Sequence, residues 1–139
     1  MSEGNSQAGA ETLTPILFVP EQHFEQILRW NQARKEVLTA DILPQTGFIL
    51  PGKAAGFLYR TDSSVAWIEN LVAAPELNRE QRSVAIDAIV KAVSDEARKL
   101  GFKMLLGYTV LDVVVKRAQR LGFAHVEGDF KLVALQLNP

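Results

Sequence analysis

The spacing of hydrophobic residues changes several times along the chain, and each change marks a boundary between predicted elements. Residues 15–19 form a short apolar run that ends at Pro20, which predicts the first strand. Beyond Pro20, apolar residues such as Phe24 and Ile27 recur on one face at the helical period. We therefore predict a helix over residues 21–38, followed by a linking segment.

Three apolar segments in the middle of the chain have the length and composition of strands. Residues 47–50 and 54–60 flank a Pro-Gly-Lys turn, which predicts a hairpin. Residues 65–73 follow a second polar turn and are rich in branched and aromatic side chains. The pattern therefore predicts three consecutive antiparallel strands.

The clearest helical signal begins shortly after residue 75. Asn78, with Gln81 three positions later, has the sequence pattern of a capping box. Lys99 and Gly101 are typical of a helix C-terminus, so we predict a helix that ends there. Between these signals, apolar residues recur at helical spacing: Ile86, Ile89, Val90, Val93, Ala97 and Leu100.

The last third of the chain alternates strand and helix patterns. Residues 102–108 form a nearly continuous apolar run, which predicts a strand buried on both faces and parallel to the strand near residue 70. Residues 111–121 predict a shorter helix, and residues 123–127 and 130–137 predict a final hairpin. The predicted fold class is therefore α/β (α+β), with about seven strands in a mixed central sheet, three main helices and the order β-α-β-β-β-α-β-α-β-β.

Composition places the chain among globular proteins and excludes several classes of function. Of its 139 residues, 47% are hydrophobic and 22% charged, which predicts one folded domain over residues 15–139 after a flexible tail over residues 1–14. A net charge of −1 argues against general nucleic-acid binding. The sequence has no apolar run of membrane-spanning length and no signal-peptide pattern, so we expect a cytoplasmic protein. It has no cysteine and no metal-binding pattern, so we expect no metal site.

Three sequence segments occur in an order that is typical of one enzyme superfamily. Residues 68–76 read IENLVAAPE, residues 97–102 read ARKLGF and residues 120–123 read RLGF. With the predicted order of elements, they resemble the GNAT superfamily of N-acetyltransferases, over roughly residues 15–137. The resemblance implies the GNAT fold, acetyl-CoA or another acyl-CoA as the cofactor, and an amine as the acceptor.

The family's phosphate-binding motif, Gln/Arg-x-x-Gly-x-Gly/Ala, is eroded in this chain. The corresponding residues 78–86 contain no glycine, whereas the family's glycines let a phosphate approach the backbone at a helix N-terminus. Two alignments are compatible with the sequence. Counting forward from the proline that precedes the motif places Gln81 and Ser83 on the glycine positions. Counting back from the helix end places Gln81 on the first position, with Val84 and Ile86 on the glycines.

The resemblance places the cofactor near the fourth strand and the start of the following helix. In the family the pantetheine arm pairs with the strand backbone, and here Arg79 and Arg82 offer charge to a phosphate. The same two arginines are also explained as exposed residues in the first turn of a capped helix. The full set of cofactor-binding candidates is Leu71, Val72, Ala73, Arg79, Gln81, Arg82 and Ser83.

Glu69 and Tyr108 are the candidate catalytic residues. Glu69 matches an acidic strand position that often faces the acceptor amine in the family, where a carboxylate can deprotonate an ammonium group. The alternative interpretation is that Glu69 is an outward-facing polar residue of a strand whose side chains alternate between two faces, with no catalytic role. The position of the family's usual tyrosine acid is Ala118, and Tyr108 lies at the end of a predicted strand, where a structural role is the alternative.

The sequence leaves two functions open. One is a divergent acyl-CoA-dependent N-acyltransferase. The other is a non-catalytic GNAT-like binding or structural module, because the chain also resembles internal virion proteins of short-tailed bacteriophages, which have the late Leu-Gly segment without a glycine-rich loop. The expected partners are an amine acceptor or another protein, and a homo-oligomer is a further expectation. A phage-encoded chain would act in the host cytoplasm or in the virion.

Overall fold

The computed structural model describes residues 13–109 and 111–137, so most of the predicted N-terminal tail lies outside the described residues. The chain divides into two compact units between Tyr108 and Thr109. The second unit contains α3 (Asp112–Arg120). The first unit contains β1 (Ile16–Leu17), α1 (Pro20–Ala33), a 3-10 turn (Ala40–Ile42), β2 (Thr46–Leu50), β3 (Ala54–Tyr59), β4 (Val65–Ala73), α2 (Arg79–Lys99) and β5 (Met104–Leu106).

The strands of the sheet follow the order of the chain. Neighbouring strands are antiparallel from β1 to β4, whereas β4 and β5 are parallel. Parallel neighbours need a long crossover connection, which α2 provides with its 21 residues. The three consecutive antiparallel strands and the parallel pairing that the sequence predicts are therefore confirmed.

An apolar cluster joins α1 to one face of the sheet. The rings of Phe18 and Phe57 meet edge to face in this cluster, with centroids 4.9 Å apart. The buried members are Phe18, Ile27, Trp30, Leu38, Ile49, Ala55, Phe57, Val72 and Ala74.

α1 is shorter than the apolar spacing predicts. It ends at Ala33 rather than at residue 38. Beyond this end, Lys35 adopts a left-handed φ of 60°. The amide of Glu36 then donates to the carbonyl oxygen of Asn31 at 3.0 Å. This local geometry satisfies a helix-end carbonyl and turns the chain away from the helix axis.

α2 packs against the other face of the sheet. Alternation along β3 directs Gly56 away from the α1 side, and a Cβ atom on Gly56 would lie 2.7 Å from Cγ2 of Ile89. The predicted capping box is present, because the side chains and amides of Asn78 and Gln81 bond reciprocally. The predicted helix is therefore confirmed, and its buried residues are Ala85, Ile86, Ile89, Val90, Val93 and Ala97.

β5 is shorter and more exposed than its apolar run predicts. The run over residues 102–108 yields the three-residue strand Met104–Leu106, and Met104 is 54% exposed. The prediction of a strand buried on both faces is therefore wrong. β5 is the outermost strand of the sheet, and an outermost strand has neighbours on one side only.

The second unit does not contain the predicted hairpin. α3 is followed by Gly122 with a φ of 99°, a conformation common just past a helix end, but the described residues 123–137 form no strand. The sheet therefore has five strands rather than about seven. Alternating apolar residues give a segment strand propensity, but a strand forms only where a partner supplies hydrogen bonds. The large apolar side chains that stay exposed in this segment are Val126, Phe130, Leu132, Val133, Leu135 and Leu137.

Candidate functional site

β4 contains a bulge in its second half. Two cross-strand pairs flank it, Ala55 with Val72 and Phe57 with Glu69. Between these pairs β3 contributes one residue and β4 contributes two. Asn70, the first of the two, has a left-handed φ of 54°, which asparagine tolerates better than most residues. The bulge therefore interrupts the regular alternation of β4 directly after Glu69.

The hydroxyl of Tyr59 connects the bulge to the loop that follows α1. It donates a hydrogen bond to the carbonyl oxygen of Ile42 at 3.2 Å. It also accepts a hydrogen bond from Nδ2 of Asn70. The Tyr59 hydroxyl thus bonds both to the bulged strand and to the 3-10 turn. These bonds hold the side chain of Asn70, the residue that follows Glu69.

Glu69 is a half-buried carboxylate with no hydrogen-bond or ion-pair partner among the described residues. Burial raises the pKa of Glu69 above its ordinary value of 4.5. Burial also raises the pKa of Tyr59, while the hydrogen bond from Asn70 lowers that pKa and the negative charge of Glu69 raises it. Glu69 and Tyr59 are therefore close enough to interact electrostatically.

Aromatic rings lie beside Glu69 on the same face of the sheet. Trp67 precedes Glu69 by two positions on β4, and Tyr59 is the cross-strand partner of Trp67. Tyr108, which follows β5, stacks on Trp67 with ring centroids 5.0 Å apart and ring planes at 23°. Tyr108 is 63% exposed. Trp67 therefore neighbours both candidate catalytic residues.

β4 and β5 are paired over only the first part of β4. The pairing runs from Val65 with Met104 to Trp67 with Leu106. Beyond Trp67, the bulged half of β4 has a backbone edge that β5 does not cover. The pairing of these two parallel strands thus ends two residues before Glu69.

The predicted cofactor residues of β4 lie on this bulged half. Val72 has its side chain in the α1 cluster, so only its backbone is available at the edge. Leu71 is 37% exposed and Ala73 is buried. Nη2 of Arg34, at the end of α1, lies 3.5 Å from the carbonyl oxygen of Ala73, which is the limit of a hydrogen bond. Leu71 is therefore the most exposed of the three residues, and Arg34 approaches the backbone at Ala73.

The N-terminus of α2 is capped by the side chains of Asn78, which directly precedes the helix, and of Gln81 in its first turn. Oδ1 of Asn78 accepts from the amide of Gln81 at 2.8 Å, and Oε1 of Gln81 accepts from the amide of Asn78 at 3.0 Å. Amides at a helix N-terminus are the donors that hold phosphate groups in anion-binding helices. Two of these donors are already satisfied within the chain.

The other candidates around the phosphate motif have different environments. Arg79 is exposed and Ser83 is half-buried. Arg82 donates from Nη2 to a backbone carbonyl oxygen of the preceding loop at 3.1 Å. Val84 is 48% exposed, whereas Ile86 is 5% exposed and belongs to the core. Of the two residues that the second alignment places on the glycine positions, only Val84 therefore presents its side chain to solvent.

Sequence reasoning did not assign roles to Tyr59, Asn70 and Arg34, which the structure brings to this region. Tyr59 and Trp67 share a face only through the register of the hairpin, and the sequence does not specify that register. The left-handed conformation of Asn70 has a weak signal, since asparagine is common at such positions. Arg34 reaches β4 because α1 ends early, which the apolar spacing did not predict.

A shallow depression of about 510 Å³ lies beyond the C-terminal end of β4. It contains none of the predicted site residues, and its lining is Gln26, Arg29, Trp30, Gly52, Pro75 and Glu76. Within the described part of the chain, no group of three or more metal-ligating side chains is arranged to hold a metal ion. None of the helices in the described ranges combines the length and the apolar character that crossing a bilayer requires.

Solved structures share this fold over most of their length. An acetyltransferase of Trypanosoma brucei aligns with a TM-score of 0.61 and 12% identity, covering 86% of this chain and 98% of its own. A protein of Agrobacterium tumefaciens strain C58, provisionally described as an acetyltransferase, aligns with a TM-score of 0.65 and 15% identity, covering 87% and 99%. An aminoglycoside acetyltransferase from an uncultured soil metagenomic sample, solved in complex with trehalose, aligns with a TM-score of 0.61 and 14% identity, covering 90% and 96%.

At these identities the likeness shows the fold, which is the mixed α/β fold of GNAT-type acetyltransferases. No protein-family model and no curated protein matches the chain. The predicted mixed α/β class with three helices is therefore confirmed, whereas the sheet has five strands rather than about seven.

Proposed function

We propose that this protein is an acyl-CoA-dependent N-acyltransferase that acylates an amine bound beside Glu69. The observation that carries the proposal is the bulged half of β4, where a half-buried carboxylate lies next to a backbone edge that β5 leaves uncovered. The fold shared with acetyltransferases supports it. Because one fold can serve many functions, the weight of the proposal rests on the site.

Glu69 is the proposed general base. A carboxylate with a raised pKa accepts a proton from an ammonium group more readily, either directly or through a water molecule. An acyl-CoA supplies the activated thioester carbonyl. Glu69 would take a proton from the ammonium group, and the freed nitrogen lone pair could then attack that carbonyl and displace the thiolate. Tyr108 is the candidate donor of the proton that the departing thiolate needs.

The edge of β4 is the proposed binding site for the pantetheine arm. An extended chain can add to an uncovered strand edge through backbone hydrogen bonds, and Leu71, Val72 and Ala73 offer such groups. The weak contact of Arg34 with the Ala73 carbonyl oxygen would be exchanged for this pairing. This part of the chain fits the arm of a coenzyme A thioester.

The phosphate end of the cofactor fits less well. A phosphate at the N-terminus of α2 must either displace the Gln81 side chain or bind outside it, to Arg79, Arg82 and Ser83. Loss of a helix cap costs about 1 kcal/mol, which corresponds to about a fivefold loss of affinity. We therefore expect weaker acyl-CoA binding than a glycine-rich loop provides.

The second candidate function is a non-catalytic GNAT-like module, for example a virion-associated protein of a phage. The observation that favours it is the closed capping box, since a helix N-terminus that binds no phosphate has no reason to keep its amides available. In this case Glu69 would be a strand residue without a chemical role. A protein partner and a homo-oligomer stay predictions under either function.

Calorimetric titration of the purified protein with acetyl-CoA separates these two functions. Under the first we expect saturable binding in the micromolar to submillimolar range, and acyl transfer to amines that falls at least tenfold in Glu69→Gln. Glu25→Gln is the matched control, because Glu25 is an exposed carboxylate on α1. Absence of binding at millimolar acetyl-CoA would refute the proposal. An unchanged turnover in Glu69→Gln would remove Glu69 from the mechanism.

A further inference from the structure

The bulge shifts the alternation of β4 by one residue. Phe57 and Ala55 both belong to the α1 cluster, and their cross-strand partners are Glu69 and Val72. Glu69 and Val72 therefore face the same side of the sheet although they are three positions apart, whereas a regular strand would direct them to opposite faces. The packing of the α1 cluster thus requires one extra residue between Glu69 and Val72.

This requirement does not by itself determine the backbone conformation of the bulge. Asn70, with its φ of 54°, occupies the position that glycine takes in the G1 type of bulge, where the first of the two residues is left-handed. The left-handed conformation is unfavourable for residues with a Cβ atom, and asparagine tolerates it when its side chain finds a local hydrogen bond. The bulge therefore depends on what the Asn70 side chain contacts.

The hydroxyl of Tyr59 provides that contact. Nδ2 of Asn70 donates a hydrogen bond to this hydroxyl, which itself donates to the carbonyl oxygen of Ile42 at 3.2 Å. The ring of Tyr59 packs against the α1 cluster, so the position of the hydroxyl is set by the core. The Asn70 side chain is therefore anchored to the neighbouring strand β3.

A second contact reaches β4 from the chain that follows α1. Nη2 of Arg34 lies 3.5 Å from the carbonyl oxygen of Ala73. Arg34 begins this stretch, residues 34–42, and the 3-10 turn ends it. Residues 34–42 thus reach β4 at two points, directly at Ala73 and through Tyr59 at Asn70. The bulged half of β4 is therefore held at both of its ends.

We propose that Tyr59 is a positioning residue of the site, because its hydroxyl holds Asn70 in the left-handed conformation and thereby sets Glu69 relative to the backbone edge beyond the bulge. This inference rests on the proposed acyltransferase function, since the bulge separates the proposed base from the proposed edge for the pantetheine arm. Tyr59 acts through Asn70 in this role. A misplacement of about 1 Å between reacting groups can lower turnover about 100-fold.

Tyr59→Phe tests the role, because it removes the hydroxyl and keeps the ring. We expect kcat for acetyl transfer to the parent chain's acceptor amine to fall about tenfold or more, with acetyl-CoA affinity in calorimetric titration within about threefold of the parent. Adding Asn70→Gly should return kcat to within about threefold of the parent, since glycine is left-handed without help. Asn70→Ala should resemble Tyr59→Phe, and combining the two should lower kcat little further.

Lys35→Gly is the matched control for the rescue. Lys35 also has a left-handed φ, of 60°, but it lies beyond the end of α1 and outside β4. Glycine removes an unfavourable backbone conformation there too, so Lys35→Gly should raise the melting temperature of Tyr59→Phe without restoring kcat. Equal rescue by Lys35→Gly and Asn70→Gly would overturn the positioning role, because general stability would then limit turnover.

Amide hydrogen exchange tests the bulge without any activity. We expect the amides of residues 69–72 to exchange about tenfold faster in Tyr59→Phe, and within about threefold of the parent rate once Asn70→Gly is added. In an active enzyme, an unchanged kcat in Tyr59→Phe would overturn the positioning role. Absence of acetyl transfer by the parent chain would refute the proposed function instead. Exchange alone would then decide, and unchanged rates in Tyr59→Phe would show that its hydroxyl does not hold the bulge.

Discussion

Replacing Gly56 by alanine perturbs the sheet directly opposite the bulge that follows Glu69. The new Cβ atom would lie 2.5 Å from Cδ1 of Leu71 and 2.7 Å from Cγ2 of Ile89. Leu71 is 37% exposed and can rotate its side chain away, whereas Ile89 is fully buried and stiff at its branched Cβ. The contact with Ile89 therefore determines the effect. Overpacking of this kind destabilises by about 2 kcal/mol.

Urea unfolding followed by circular dichroism measures this change, and a double-mutant cycle locates its cause. Ile89→Ala alone should lower the free energy of unfolding by about 3 kcal/mol. In the Ile89→Ala background the added methyl group fits the vacated space, so Gly56→Ala should then cost less than about 0.5 kcal/mol. The two substitutions should therefore be coupled by about 1.5 kcal/mol, with unchanged m-values.

Gly52→Ala is the matched control for this cycle. A Cβ atom on Gly52 meets no atom within 4 Å, but the residue has a φ of 80°, so its replacement should cost about 1 kcal/mol through backbone strain alone. That cost should be the same with and without Ile89→Ala. Strict additivity of Gly56→Ala with Ile89→Ala would refute the close approach of α2 to β3. A coupling of Gly52→Ala with Ile89→Ala would show that the cycle does not isolate a contact.

Other predictions concern the cap, the carboxylate and the hydroxyl. Asn78→Ala should lower the free energy of unfolding by about 1 kcal/mol through loss of the capping box; a change within error in urea unfolding would contradict that role. The raised pKa of Glu69 gives a contribution to stability that is present below its unfolded pKa and lost as pH rises through the folded value. The melting temperature of Glu69→Gln should therefore rise relative to the parent chain between pH 4 and pH 7, and a constant difference would count against burial of the carboxylate. Tyr59→Phe should cost about 1–2 kcal/mol, because Asn70 and Ile42 lose a partner; unchanged thermal stability would show that the network is dispensable.

Elements with local determinants were predictable from the sequence. α2 has its cap, its apolar face and its C-terminal glycine within its own segment, and the structure reproduces all three. The predicted β2 and β3 match the observed hairpin closely, because the Pro-Gly-Lys turn fixes where the two strands meet. In these cases the physical cause of the structure lies within a few residues of its effect.

Elements that depend on distant partners were not predictable. The alternating apolar residues of 130–137 have strand propensity, but the described structure gives them no strand to pair with. The bulge at Asn70 arises from the register of β4 against β3, and a register is a property of two strands together. For the same reason the sequence identified Glu69 but not the neighbouring Tyr59.

The way in which β4 meets β5 also orders the steps of folding. β2, β3 and β4 are joined by short turns, whereas β4 reaches β5 only after the 21 residues of α2 have been placed. Closing the longer loop costs more chain entropy, so this pairing forms late and opens early. The amides of Met104–Leu106 should therefore exchange with solvent faster than those of β3. The seam that ends beside Glu69 should thus assemble later and loosen earlier than the pairing of β2, β3 and β4.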